Sequence, residues 1–299
     1  MNNLLFQNKV KILHMISKSA GLFKGICFYH NYDNNPLYNS QRPNAGDLKW
    51  LVGFVEGDGC FSVTKNGKYI KYEFTIEIHI RDIKLLYKIK NLLGGYGSIT
   101  TRKGSNPTTE LARFKISSKN DLKRVILPIF DKYEMLTSKQ YDYLFFRSCL
   151  LQNITYYENL PLYTRPHYTP FNSIQDILNI YYFDSWLVGF MEAESCFSTY
   201  LAEGESSKTA AFSINQTNGI QIITAIKERL NLRANPYICP YSNNSVIKTT
   251  SVRGLQNVIN FLKNTPVKLK GNKRAQFLKW LHELRVNFRY RNLNIPDKY

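Results

Sequence analysis

Trp50-Leu-Val-Gly-Phe-Val-Glu-Gly-Asp-Gly-Cys-Phe-Ser62 returns 136 residues later as Trp186-Leu-Val-Gly-Phe-Met-Glu-Ala-Glu-Ser-Cys-Phe-Ser198, with nine of thirteen positions identical. The residues after each copy also run in parallel, the mark of an internally duplicated chain. Phe74-Thr-Ile-Glu-Ile answers to Phe212-Ser-Ile-Asn-Gln, each alternating like a half-buried strand. Ile83-Lys-Leu-Leu-Tyr-Lys-Ile-Lys-Asn-Leu-Leu answers to Ile220-Gln-Ile-Ile-Thr-Ala-Ile-Lys-Glu-Arg-Leu, both with helical apolar spacing. Two short strands come after each helix, near Gly97–Thr101 and Leu111–Ser117, then Pro236–Pro240 and Val246–Ser251. Helical segments close each copy, Leu122–Phe130 and Lys139–Leu151, then Leu255–Leu262 and Lys273–Val286. Each half therefore reads helix, two strands, helix, two strands, helix, helix.

This places a first domain at 46–152 and a second at 181–299, with 153–180 as a linker containing Pro161, Pro166 and Pro170. Residues 1–45 precede the repeat. Their acid-free, lysine-bearing start reads as a poorly ordered extension, with a mitochondrial targeting segment as the other reading. The whole chain has 299 residues, 40 Lys and Arg against 22 Asp and Glu, and a net charge of +18. That excess points to phosphate backbones or an acidic surface and away from cationic ligands. No apolar run approaches the ~18–20 residues of a membrane span. The five cysteines, 27, 60, 149, 196 and 239, form no CxxC pair, which argues against structural zinc and against a disulfide framework. Cys60 and Cys196, flanked by Phe, read as buried structural thiols.

Within the repeated motif, Gly53 and Gly57 share a helix face, as do Gly189 and Ala193. Small residues at that spacing let two helices pack closely on a pseudo-twofold axis. The packing brings Asp58 and Glu194 together at the two helix C-termini, where the dipole and mutual repulsion both oppose ionisation unless a cation intervenes. Gly59 suits a left-handed turn ending the helix, and Ser195 in the matching place would pay about 1 kcal/mol for it. Two acids with no His or Cys cluster favour a hard cation, Mg²⁺ or Mn²⁺. In a strongly basic protein, this reads as metal-dependent phosphodiester hydrolysis. Glu56 and Glu192, on another helix face, read as solvated or locally hydrogen-bonded residues.

Leu51-Val-Gly-Phe-Val-Glu-Gly-Asp-Gly59 and Leu187-Val-Gly-Phe-Met-Glu-Ala-Glu-Ser195 resemble the two motifs of a double-motif LAGLIDADG homing endonuclease, over about residues 46 to 299. The resemblance implies an α+β fold of two αββαββα halves, whose four-stranded antiparallel sheets form a saddle over DNA. It also implies magnesium-dependent double-strand cleavage of a long target site by a monomer, with Asp58 and Glu194 as metal-binding acids. Lys139 and Lys273 resemble lysines placed around the metal waters, and Gln216 resembles a water-orienting position. The first-repeat counterpart of Gln216 is open among Glu77, His79 and Ile80. Many members are encoded in mitochondrial group I introns, which implies a mitochondrial location, and some assist splicing.

Side chains expected to meet DNA are Lys65, Lys68, Lys71, Arg102, Lys103, Arg113 and Lys115 in the first half, with Lys208 and Lys248 in the second. Two alternatives stand beside the endonuclease. One is an RNA maturase binding group I intron RNA through the basic stretch 263–291; the other is a DNA-binding regulator without catalysis.

Overall fold

The computed structural model describes residues 44–299 apart from 107, 202, 205 and 206. The expected extension at 1–45, and Cys27 with it, lies almost wholly outside the described residues. Helix α1 (Ala45–Asp58) starts at Asn44, whose side chain accepts from the Gly46 N–H at 2.9 Å. It leads directly into strand β1 (Gly59–Asn66), which turns back into β2 (Tyr69–His79). Helix α2 (Ile83–Leu92), strands β3 (Ser98–Lys103) and β4 (Glu110–Ile116), a π-helical turn at Leu122–Ile126, α3 (Leu127–Lys132) and α4 (Lys139–Leu151) complete the first half.

A short helix, α5 (Ile174–Leu178), lies between the halves. The second half then repeats the order of the first. It comprises α6 (Phe183–Glu194), β5 (Ser195–Leu201), β6 (Lys208–Thr217), α7 (Ile220–Arg229), β7 (Tyr237–Cys239), β8 (Asn244–Thr249), α8 (Val252–Asn264) and α9 (Asn272–Val286). Each half carries one antiparallel sheet, with strand orders β1-β2-β4-β3 and β5-β6-β8-β7. The fold is α+β and pseudo-symmetric, as the repeat required.

Each sheet buries one face under its own helices. In the first half Phe61 meets Phe74, Phe130, Tyr143 and Phe146 at ring separations of 5.0–5.5 Å. In the second, Phe197 meets Phe212, Phe277 and Trp280 at 4.9–5.4 Å. Phe61, Phe74, Tyr143 and Phe146 answer to Phe197, Phe212, Phe277 and Trp280, while Phe130 is an extra ring of the first half; burying each ring contributes about 1.5–3 kcal/mol. Among the described residues no helix layer covers the opposite face of either sheet.

Helices α1 and α6 are apolar nearly all round because they sit at the centre of the molecule, where both halves cover them. A Cβ added at Gly53 would fall onto the Trp186 carbonyl oxygen and 2.9 Å from the Phe190 nitrogen; one at Gly189 would meet Trp50 and Phe54 in the same way. Only glycine permits that approach of two helix backbones.

The segment joining the halves is more ordered than a bare linker. Its start hydrogen-bonds to the β1–β2 turn and the start of β2, Ile70 N–H to Thr155 O at 2.8 Å and Tyr157 N–H to Lys68 O at 3.0 Å. Its helix α5 is opened by a Ser173–Asp176 capping box, which the prolines of this segment do not suggest. No helix among the described residues is long and apolar enough to cross a membrane.

Candidate active site

Asp58 and Glu194 are the last residues of α1 and α6, so the close packing of these helices sets the two carboxylates side by side. Glu194 leans across onto the first helix: a Cβ at Gly57 would lie 2.9 Å from its Oε1 and 3.2 Å from its Cγ. The opposing residue on α6 is Ala193. The absent methyl on α1 thus makes room first for the Ala193 methyl, which lies nearest, and then for the longer acid on α6.

Burial pushes the Asp58 carboxyl up to about 6, against the pull of Lys139 and Lys273. Burial and then the Asp58 charge push Glu194 up to about 7. Among the described residues no side chain closes a salt bridge with either acid. Nor do three or more His, Cys, Asp or Glu gather there or elsewhere in an arrangement that could hold a metal. Two hard carboxylate donors fit a divalent cation.

The two lysines lie against the same helix ends. Lys139 Nζ donates to the carbonyls of Val55, Gly57 and Gly59 at 3.1, 3.2 and 2.7 Å. Lys273 Nζ donates to the Ser195 carbonyl. Each ammonium therefore caps the C-terminus of the helix carrying its own half's acid, supplying part of the cation that the paired carboxylates demand. Burial lowers the pKa of both lysines. Neither is a surface lysine.

Glu56 and Glu192, expected to be solvated or locally bonded, are both buried, and each holds the loop that carries a lysine. Glu56 accepts from the N–H groups of Leu136 and of Thr137 (3.0 Å), and from Trp186 Nε1 (3.0 Å) across the interface between the halves. Glu192 accepts from the N–H groups of Lys270 (2.6 Å) and Gly271 (3.0 Å). Burial raises both pKa values, Glu192 to about 7, against the backbone donors that favour the ion. The signal was available, since both glutamates are identical in the two copies of the motif, but their partners lie 78 to 81 residues away.

Three further expectations are corrected. Neither Gly59 nor Ser195 is left-handed; both are extended, with φ of −95° and −88°. The chain passes straight from helix into strand, so Ser195 carries no strain of that kind, and its hydroxyl donates to the Met191 carbonyl at 2.6 Å. Cys60 and Cys196 are exposed rather than buried, because Gly59 and Phe61 take the core side of β1 and Ser195 and Phe197 that of β5. The register Gly59↔Ile76 and Ser195↔Ile214 makes Ile78, rather than Glu77, His79 or Ile80, the counterpart of Gln216. Gln216 lines a cavity of about 420 Å³ together with Thr137, Ser138, Lys139, Asp142 and Arg165. No glutamine answers to it at the other centre.

Of the residues expected to meet DNA, Lys71, Arg102, Arg113 and Lys115 share the open face of the first sheet. Glu73 pairs with Lys71 (3.0 Å) and Lys115 (3.5 Å), and Glu77 with Arg113 (2.7 Å) and Arg102 (2.8 Å). The Arg102 guanidinium, with Arg113 beside it, holds Glu77 below the usual carboxylate range. Lys248 lies on the open face of the second sheet, 4.7 Å from the Tyr200 ring centre. Lys68 is in the β1–β2 turn. Lys65, Lys103 and Lys208 have the core-side parity at strand ends: Lys65 rests over Tyr157 at 4.8 Å, and Lys208 is 3.9 Å from Glu283 of α9. A one-residue alternation puts these three off the open face.

A family model described as LAGLIDADG endonuclease matches residues 51–150 and 187–284. The chain belongs to the LAGLIDADG endonuclease family. It is 29% identical over 91% of its length to a probable intron-encoded endonuclease of Schizosaccharomyces pombe, Cox1-I1b, covering 74% of that protein. It is 30% identical over 76% of its length to an uncharacterized mitochondrial protein of Saccharomyces cerevisiae, RF1, covering half of that one. Among solved structures, the meganuclease I-SmaMI bound to uncleaveable DNA superposes with a TM-score of 0.66 at 23% identity, over 80% of this chain and 91% of that one. In this chain the LAGLIDADG fold holds the paired acids and capping lysines described above.

Proposed function

We propose that this LAGLIDADG protein is a mitochondrial, intron-encoded endonuclease that makes a double-strand break at a long DNA site, acting as a monomer with 46–152 and 181–299 as its two DNA-holding domains. The observation that carries the reading is the pair of carboxylates, Asp58 and Glu194, brought together by glycine-mediated helix packing, each beside a half-buried lysine and at the root of an open antiparallel sheet. Asp58 and Glu194 would hold Mg²⁺, or Mn²⁺ in its stead, which supplies water activation and charge neutralisation at the scissile phosphate. The chain's own contribution is to fix both acids on rigid helix ends and to keep Lys139 and Lys273 where phosphate charge builds up. Lys71, Arg102, Arg113, Lys115 and Lys248 lie where they would face the duplex, the first four pre-oriented by Glu73 and Glu77. Gln216, which lines the cavity beside Lys139, would orient water at that centre only.

The test is cleavage of a plasmid carrying the intronless exon junction of the host gene in Mg²⁺. Wild type should linearise it. Asp58→Asn should cut at least ~1,000-fold more slowly while binding the same duplex within a few-fold. Binding without linearisation by wild type defeats the enzymatic reading. Splicing of the host group I intron promoted equally by wild type and by an Asp58→Asn, Glu194→Gln double variant would instead support the RNA maturase, whose surface would be the basic stretch 263–291 with its nine Lys and Arg.

A further inference from the structure

The two catalytic centres are not copies of each other. The turn Ile80–Asp82 stands beside the Lys273 loop, where Asp82 Oδ1 accepts from the Asn272 N–H at 2.8 Å. Arg81, in the same turn, is within electrostatic reach of Lys273. In the second repeat the matching turn before α7 reads Asn218-Gly219, with neither arginine nor carboxylate. Beside Lys139, where an Arg81 equivalent would stand, the structure has the cavity lined by Gln216, Thr217 and Asn218.

Another part of the chain enters that cavity. Arg165, from the segment between the repeats, lines it together with Lys139. Its guanidinium is ion-paired with Asp142, a carboxylate only 11% exposed and one turn along α4 from Lys139. Tyr163 donates to the same Asp142 at 2.7 Å and stacks on Phe145 at 4.4 Å, and Tyr168 packs on Tyr141. The backbone on both sides of Arg165 is thus fastened to α4. The arrangement cannot form at the other centre, because the residue answering to Asp142 on α9 is Gln276. Arg165 is 48% exposed and within electrostatic reach of Cys60 on the open sheet face, so it borders the surface that would meet DNA.

We propose that Arg165, held by Asp142, contacts a phosphate oxygen of the strand cut at the Lys139 centre, supplying from the inter-repeat segment the arginine that Asn218-Gly219 lacks. At the Lys273 centre the first repeat supplies that charge through Arg81. The segment between the domains is then part of one active site and not only a connection. A guanidinium there offsets phosphate charge in a partly desolvated site and fixes orientation through its planar donors.

The inference rests on the endonuclease reading, and the two are tested together on the intronless-junction duplex, end-labelled on one strand or the other. With Arg165→Ala, nicking of one strand should slow by roughly 10- to 100-fold, the other strand should stay within about twofold of wild type, and a plasmid substrate should accumulate as open circles. Arg81→Ala should slow the opposite strand. Arg165→Lys should recover part of the loss, and Asp142→Asn should reproduce the single-strand defect more weakly. The slope of log binding constant against log salt should fall by about one for Arg165→Ala. Equal slowing of both strands, or of neither, overturns the proposal for a variant whose melting temperature matches wild type. If wild type binds but nicks neither strand, the endonuclease reading fails separately, and an unchanged salt slope still overturns the Arg165 contact. A wild type that prefers this duplex no more than unrelated DNA removes both.

Discussion

At the scale of single residues, Asp58 shows how much energy the site stores against ionisation. Its carboxyl, raised from near 4 to about 6, keeps its proton in the fold over a pH range where the unfolded chain has lost it. The native state binds more protons across that window, so stability without divalent cation is full below about pH 4 and falls as pH rises through 6. Glu194, raised to about 7, extends the decline by about one further unit. Asp58→Asn removes the penalty. In chelator at about pH 8 the variant should be about 1–3 kcal/mol more stable than wild type by urea denaturation, with the gap closing toward about pH 4. A destabilised variant, or a gap that does not vary with pH, would show that Asp58 is stabilised in the fold and not held for a cation.

At the scale of elements, the unit that matters is a loop clamped to a helix. Leu136-Thr-Ser-Lys139 is fixed by two N–H groups on buried Glu56, and Lys270-Gly-Asn-Lys273 by two on Glu192. The Glu56 clamp also reaches Trp186 of the other half; the corresponding indole of Trp50 has no hydrogen-bond partner among the described residues. Glu56→Gln keeps the shape, but its one amide oxygen can serve only one side of the clamp while its NH2 is set against a donor on the other. It should cost about 1–3 kcal/mol and slow cleavage of one strand more than the other, with DNA affinity nearly unchanged. Melting curves and strand-resolved nicking check this, and equal loss at both strands would mean the glutamate acts on global packing only. The sheets differ as elements too. The open face of the first carries a net of four basic and two acidic side chains, whereas that of the second presents chiefly Ser, Thr, Ala, Asn and Tyr with Lys248. Duplicated backbone has been kept while the readout surface has diverged.

At the scale of the whole molecule, the decisive contact is the backbone approach of α1 to α6 at Gly53 and Gly189. A side chain at either glycine would strike the opposite helix's carbonyl, and helices cannot separate there without moving the two acids apart. Gly53→Val should therefore lose cleavage of both strands together and unfold at lower denaturant by about 2–4 kcal/mol. Gly67→Ala, where nothing lies within 4 Å but φ is +63°, should cost about 1 kcal/mol and leave cleavage intact. Comparable losses of activity from the two variants would mean that the interface does not set the geometry of the acids.

The duplication, the strand and helix order, the small-residue face and the identity of Asp58 and Glu194 were legible in the sequence, because period, spacing and residue size are local properties written twice in one chain. Lys139 and Lys273 were reached only through family resemblance; that they cap the helices bearing the acids required the tertiary fold. So did the clamping role of Glu56 and Glu192, whose partners lie some 80 residues away. The extended backbone at Ser195, the exposure of Cys60 and Cys196 and the core-side parity of Lys65, Lys103 and Lys208 turned on where each strand begins, which periodicity fixes only to within a residue or two. The placing of Arg165 beside Lys139 lay further still from view, since no repeat equivalence links them. What the sequence determined by itself was which groups are duplicated; what only the tertiary structure decided was which unduplicated groups fill the gaps between the copies, because that depends on distances across the fold and not along the chain.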